Sequence, residues 1–164
     1  MLKKFVRTMA YIGGIVTGFY LFASAPGIHK KKKWQHLTGW DYAHRGLYDN
    51  EHGIPENSMA AFRRAVDKGY GIELDVHLTA DNQLVVFHDD TLTRMCGMNK
   101  KISSFLYSDL MQLRLLGTEE GIPLFKDVLE LIDGKVPLII ELKVDGSNQN
   151  LLCPLVWQLL SRYK

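Results

Sequence analysis

Four short clusters of ionisable residues could do chemistry together. Glu73 and Asp75 stand two apart in GIELDVHL, residues 71–78. His44 and Arg45 are adjacent, Glu141 and Lys143 stand two apart, and His88-Asp89 ends the apolar run Leu84, Val85, Val86, Phe87. Carboxylate oxygens are hard donors that suit Mg²⁺ or Ca²⁺. A guanidinium can grip an oxyanion with two parallel N–H bonds, and an ammonium adds a point charge. An imidazole, with an ordinary pKa of about 6.5, can accept or give a proton near neutrality. Each cluster alone has a plainer explanation. Glu73 and Asp75 fit a wet strand face equally well, and His88-Asp89-Asp90 fits a strand running into a polar turn.

The elements around them change that balance. Ile72, Leu74, Val76 and Leu78 alternate with Glu73, Asp75, His77 and Thr79, a period of two that predicts a strand with both acids on one face. Asp81-Asn82 is a turn signal before the second apolar run. A two-residue hairpin loop there would pair Asp75 with His88; alternatively the second run crosses to a separate strand. Upstream, Tyr42 and Ala43 lead as a short strand into His44-Arg45-Gly46. Asn57 or Ser58 caps a helix with Met59, Phe62, Ala65 and Val66 on its apolar stripe; Asn57 could instead touch a metal, but capping is the role expected of it. Further helices are predicted over 108–116, capped by Ser108, and over 125–132, then a buried strand over 136–143. A last helix over 150–163 should turn Leu151, Leu152, Leu155, Val156, Leu159 and Leu160 inward. Strands separated by helices imply βα units and a parallel sheet. Charges at several apolar strand ends are costly unless paired with one another or with a metal.

Composition adds bounds. With 164 residues, 46% hydrophobic and 23% charged, the chain can build one globular core. A net charge of +2 does not point to nucleic acid, and the sequence sets no oligomeric state. Cys96 and Cys153 form no CxxC motif, which excludes a zinc-thiolate site. Residues 8–28 are uncharged and rich in apolar side chains, with Lys3, Lys4 and Arg7 before them and Lys30, Lys31, Lys32, Lys33 and Trp34 after. About 20 such residues span a bilayer. Ala23-Ser24-Ala25 resembles a signal-peptidase site, but Pro26 would follow the cut and hinder it. The expectation is an uncleaved single-pass anchor over residues 1–34, of undecided orientation, preceding a soluble domain over 35–164. His29, His36 and His52 lie in polar or basic stretches and are expected to be solvated.

Together, His44-Arg45-Gly46, Pro55-Glu56-Asn57-Ser58 with Ala61, Phe62 and Ala65, Glu73-Leu74-Asp75-Val76, Thr79, Asp81, Val85-Val86, His88-Asp89, Leu92, Arg94 and Ile140-Glu141-Leu142-Lys143 resemble the glycerophosphodiester phosphodiesterase family. The resemblance runs from Tyr42 to Lys143. It implies an α/β fold, a TIM-type (β/α)8 barrel, with a small insertion at about 89–121. It also implies a divalent metal and hydrolysis of glycerophosphodiesters to glycerol 3-phosphate and an alcohol. A whole barrel takes ~250 residues, so the chain should cover about the first half, ending after a fourth βα unit, as a fragment or truncated product.

On that resemblance Glu73, Asp75 and Glu141 are the expected metal ligands, for Mg²⁺ or Ca²⁺. Arg45 and Lys143 are the expected substrate-binding residues, and His44 and His88 the acid and base. The glycerol hydroxyl beside the ester would attack phosphorus, and water would open the resulting cyclic phosphate. His77 shares the strand face of the acids, but the family motif does not require it. Clustered carboxylates without a cation repel one another, so their amide variants should leave the metal-free fold intact or slightly firmer. Other readings are a lysophospholipase D or a sphingomyelinase-D-like enzyme on the same barrel, since the anchor suits lipid substrates, or a non-catalytic membrane-anchored module.

Overall fold

The computed structural model describes residues 2–25 and 35–163. Two compact units divide at His36 and Leu37. The first holds helix α1, Leu2–Ser24. Its stretch Val6–Ser24 has a mean hydropathy of 1.3, is long and apolar enough to cross a membrane, and is unburied. The expected basic flank at residues 30–33 with Trp34, the Pro26 brake on cleavage, and His29 lie outside the described residues.

The second unit is built on a four-stranded sheet. Strands β1 (Tyr42–His44), β2 (Gly71–Leu78) and β4 (Leu138–Leu142) run parallel, with β2 central. Helix α2 (Met59–Asp67) follows β1, and α6 (Gln149–Leu160) follows β4. Between β2 and β4 lie β3 (Leu84–Val86), the one-turn helices α3 (Thr93–Cys96) and α4 (Tyr107–Leu110), and α5 (Phe125–Ile132).

β3 pairs antiparallel with β2, Val76 facing Val86. The described parallel strands thus number three, so the expected fourth βα unit is not formed among them. The expected pairing of Asp75 with His88 is also corrected by one residue. Ala80, Asp81 and Asn82 form a three-residue loop: Thr79 N–H donates to Gln83 O at 3.0 Å and Asn82 takes φ 61°. That loop puts Phe87, whose N–H donates to Asp75 O, opposite the acid.

The strand faces separate by chemistry. Ile72, Leu74 and Val76 are wholly buried against Phe62 and Ala65 of α2, Phe125, Val128 and Ile132 of α5, and Leu152 and Val156 of α6. Each of these side chains other than Ala65 contributes ~1.5–3 kcal/mol. Leu151, expected inward, is exposed. β3 and the residue after it serve two cores, because Leu84 and Val86 join this one while Val85 and Phe87 join a second. That second core, with Leu92, Met95, Ile102, Leu110, Leu115 and Ile122, fills the insertion. Sequence periodicity overstated the helix there: residues 108–116 hold only the end of α4 and a 3-10 turn at Leu115–Gly117.

Candidate active site at the strand ends

The opposite face of the sheet carries the charges. β1 is in register with β2 so that His44 lies beside Glu73, and Asp75 lies beside Glu141. Partners in parallel register share a face. One oxygen each from Glu73, Asp75 and Glu141 lies within 4.8 Å of the others. Asp75 is buried, Glu73 half-buried and Glu141 exposed.

Cations surround this cluster. The Lys143 ammonium is 2.7 Å from Glu141 Oε1 and 2.9 Å from Asp75 Oδ1. The contact to Asp75 is an ion pair without hydrogen-bond alignment, since Oδ1 has no hydrogen-bond donor. Burial works against the Lys143 charge, but the two carboxylates outweigh it and raise its pKa above the ordinary lysine value. The Arg45 Nε is 3.7 Å from Asp75 Oδ2, and the Arg45 backbone N–H donates to Glu73 Oε2 at 3.1 Å. Asp75 therefore sits among cations, not only among like charges. Like-charge repulsion alone therefore no longer describes its surroundings, and neutralising it should weaken the metal-free fold rather than leave it intact or firmer.

The loop from Pro55 to Ser58 closes the site. Ser58 Oγ accepts from Ala61 N–H and is the N-cap of α2. Asn57, expected to cap, instead donates from Nδ2 to Asp75 Oδ2 at 2.9 Å, and its Oδ1 is buried without a partner. Its neighbour Glu56 is only 5% exposed and accepts from Arg45 at 2.9 Å and from Arg94 at 2.7 and 2.9 Å. Burial alone would raise the Glu56 pKa, but the Arg94 and Arg45 guanidinia outweigh it and hold it low. Arg45 and Asn57 adopt left-handed backbone, φ 58° and 54°. Non-glycine residues rarely do so, and such strain collects at functional sites. Gly46, φ +80°, packs so closely that an added Cβ would meet Ala61 Cβ at 2.9 Å.

The two predicted histidines stand apart in character. His44 is 64% exposed, its Nε2 3.8 Å from Glu73 Oε2. His88 is half-buried and its Nδ1 bonds Asp89 Oδ1 at 2.7 Å. Arg94 and, less strongly, His88 hold the Asp89 carboxyl down at about 2. His77, left aside on sequence, is buried on the acid face with Nε2 3.2 Å from the His88 carbonyl. That carbonyl can only accept, so Nε2 carries a proton. Burial lowers the His77 pKa, and its bond steadies the His88 backbone. Among the histidines expected to be solvated, His36 and His52 are exposed. Cys96 and Cys153 are free thiols, and burial pushes Cys96 up to about 11.

The donor set fits a hard divalent cation. It offers three carboxylates, a buried Asp75 oxygen without a hydrogen bond, and a place where an ammonium is already drawn in. The C-terminal end of parallel strands is where barrel enzymes carry their chemistry.

Comparison with known proteins agrees. Residues 44–159 match the glycerophosphoryl diester phosphodiesterase family, and the chain belongs to that family. Its fold is that of a TIM-type phosphodiesterase barrel, of which the described strands form part. It is 35% identical to a lysophospholipase D of Rattus norvegicus, over 95% of this chain and 52% of that protein. It is 37% identical to a glycerophosphodiester phosphodiesterase of Bacillus altitudinis, over 65% of this chain and 45% of that protein. A phosphodiesterase of Oleispira antarctica, solved with the product sn-glycerol-3-phosphate, superposes with a TM-score of 0.69 at 27% identity, covering 77% of this chain and 53% of that one. A glycerophosphodiester phosphodiesterase of Parabacteroides distasonis gives 0.65 at 35% identity, covering 76% of this chain and 51% of that one. The chain thus spans about half the length of these relatives.

Proposed function

We propose that this chain carries the catalytic face of a divalent-cation-dependent phosphodiesterase that cleaves glycerophosphodiesters to glycerol 3-phosphate and an alcohol. The observation that carries the reading is the convergence of Glu73, Asp75 and Glu141 within 4.8 Å, with Arg45 and Lys143 beside them. Glu73, Asp75 and Glu141 would hold Mg²⁺ or Ca²⁺, whose charge would offset that of the phosphodiester and of its transition state.

The chain's own groups do the rest. Arg45 grips phosphate oxygens and Lys143 adds a point charge. One of His44 and His88 takes the proton of the glycerol hydroxyl next to the ester as that oxygen bonds to phosphorus. The other gives a proton to the departing alcohol oxygen as its P–O bond breaks. The resulting cyclic phosphate is opened by water, with the histidines exchanging roles. Release of glycerol 3-phosphate from glycerophosphocholine, dependent on added Mg²⁺ or Ca²⁺ and abolished by chelation, tests this. Cation binding without turnover would leave a binding module instead.

A lysophospholipase D is the second reading. The match to the rat protein of that name spans 95% of the chain, whereas the bacterial match spans 65%. Turnover of lysophosphatidylcholine above glycerophosphocholine would select it. Residues 1–34 serve in either case as a single-pass anchor for the domain over 35–164, supported by the exposed apolar helix Val6–Ser24. Retention in membranes through carbonate washing is the expected result, and a soluble chain beginning at Pro26 would refute it.

A further inference from the structure

We infer that Arg94, supplied by the insertion, is a positioning residue that sets both the histidine and the arginine of the site. Five charged or ionisable side chains form one continuous chain of contacts. Arg45 donates to Glu56 at 2.9 Å. Glu56 accepts two parallel bonds from Arg94, NH1 to Oε2 at 2.9 Å and NH2 to Oε1 at 2.7 Å. Arg94 also forks onto Asp89, Nε to Oδ2 and NH2 to Oδ1, both 2.9 Å. Asp89 Oδ1 in turn meets His88 Nδ1 at 2.7 Å.

A carboxylate can only accept, so the His88 Nδ1 beside it carries the proton, and Nε2 is left as the exchangeable atom. With both oxygens held by a planar guanidinium, the Asp89 carboxylate cannot rotate, and so the imidazole cannot either. On the other side the same guanidinium fixes Glu56, a buried anion that must be paired, and Glu56 fixes Arg45. α3 is a single turn, Thr93–Cys96, anchored by Met95 in the insertion core. That core therefore presents one side chain to the strand-end site. A lysine at position 94 could hold one carboxylate but not two in a plane.

The inference rests on the proposed activity only where turnover is read. Its direct test is the ¹⁵N spectrum of histidine-labelled chain at about pH 8, above the ordinary histidine range, with His88 assigned through His88→Gln. The parent should show His88 as one tautomer, protonated at Nδ1. Arg94→Gln should give a mixture of tautomers, and Arg94→Lys, which keeps the charge, should fall between. In the same samples kcat on glycerophosphocholine should fall about 10²-fold in Arg94→Gln, the usual scale for a misplaced group, and KM should rise as well, because Glu56 freed from Arg94 no longer fixes Arg45. Arg94→Lys should recover part of kcat. An unchanged His88 tautomer in folded Arg94→Gln overturns the inference, as does unchanged kcat per folded molecule. If Arg94→Gln does not fold, a single Nδ1 tautomer and full kcat in Arg94→Lys overturn it. A parent that binds no substrate and turns nothing over defeats the proposed activity instead, and the tautomer spectra still decide the role of Arg94.

Discussion

The two sides of the carboxylate cluster are held in different ways. Asp75, on the central strand, is 1% exposed and meets Asn57, Arg45 and Lys143. Glu141, directly beside it in register, is 55% exposed and meets Lys143. Ile139, on the same face of β4, is also exposed. Identical chemistry therefore has unequal structural weight. The charge of Asp75 is built into the fold, whereas that of Glu141 is available to a ligand at little cost to the fold.

Substitutions on the sealed side should be the most damaging. Asp75→Asn removes the anion that Arg45 and Lys143 share but leaves them Glu56 and Glu141, and should cost ~1–3 kcal/mol of metal-free stability, the usual scale for disturbing a buried polar network. Urea denaturation would measure it, and a neutral result would erase the contrast with Glu141. Gly46→Ala should cost ~1–3 kcal/mol, because its Cβ meets Ala61 and its φ is +80°. Its thermal midpoint should drop, while Gly53→Ala, strained in φ but facing open space, should drop less.

Acid should reach the sealed side through its anions. The Asp89 pKa is held at about 2 and that of Glu56 is lowered, in both cases by guanidinia. A carboxyl with a depressed folded pKa stabilises fully above its ordinary value of about 4, and that contribution disappears as pH falls through its folded value. Stability should thus decline from about pH 4 toward about pH 2, and Arg94→Gln should flatten the decline. An equal slope in the variant would detach Arg94 from these acids. Smallest of all, Glu141→Gln should change metal-free stability by under ~1 kcal/mol, as for exposed ion pairs.

Legibility in the sequence followed the range of the contacts. The alternation in residues 71–78 and the helix Phe125–Ile132 were readable because both are local periods. The shared face of Glu73 and Asp75 came with the first. Glu56 was not read as a site residue, and for Asn57 capping was favoured over a contact at the metal site, since the aim of both depends on left-handed backbone at Arg45 and Asn57. Propensity does not announce such kinks in non-glycine residues. Arg94 reaches Glu56 across 38 positions, a contact that only the folded insertion creates. The β2–β3 register slipped by one because Asp81-Asn82 reads as a two-residue turn, whereas Ala80 joins the loop.

The most direct test is a calorimetric titration of Mg²⁺ and of Ca²⁺ into the parent chain and into Glu141→Gln. That variant keeps the sealed side intact, so a change in affinity cannot be blamed on unfolding. The parent should bind one cation per chain and melt higher with it, by ordinary linkage. Glu141→Gln should melt like the parent without cation and bind it about tenfold more weakly or worse, a loss of at least ~1.4 kcal/mol. Equal affinity in the two chains, or no binding by the parent, would mean that Glu73, Asp75 and Glu141 are not a metal site.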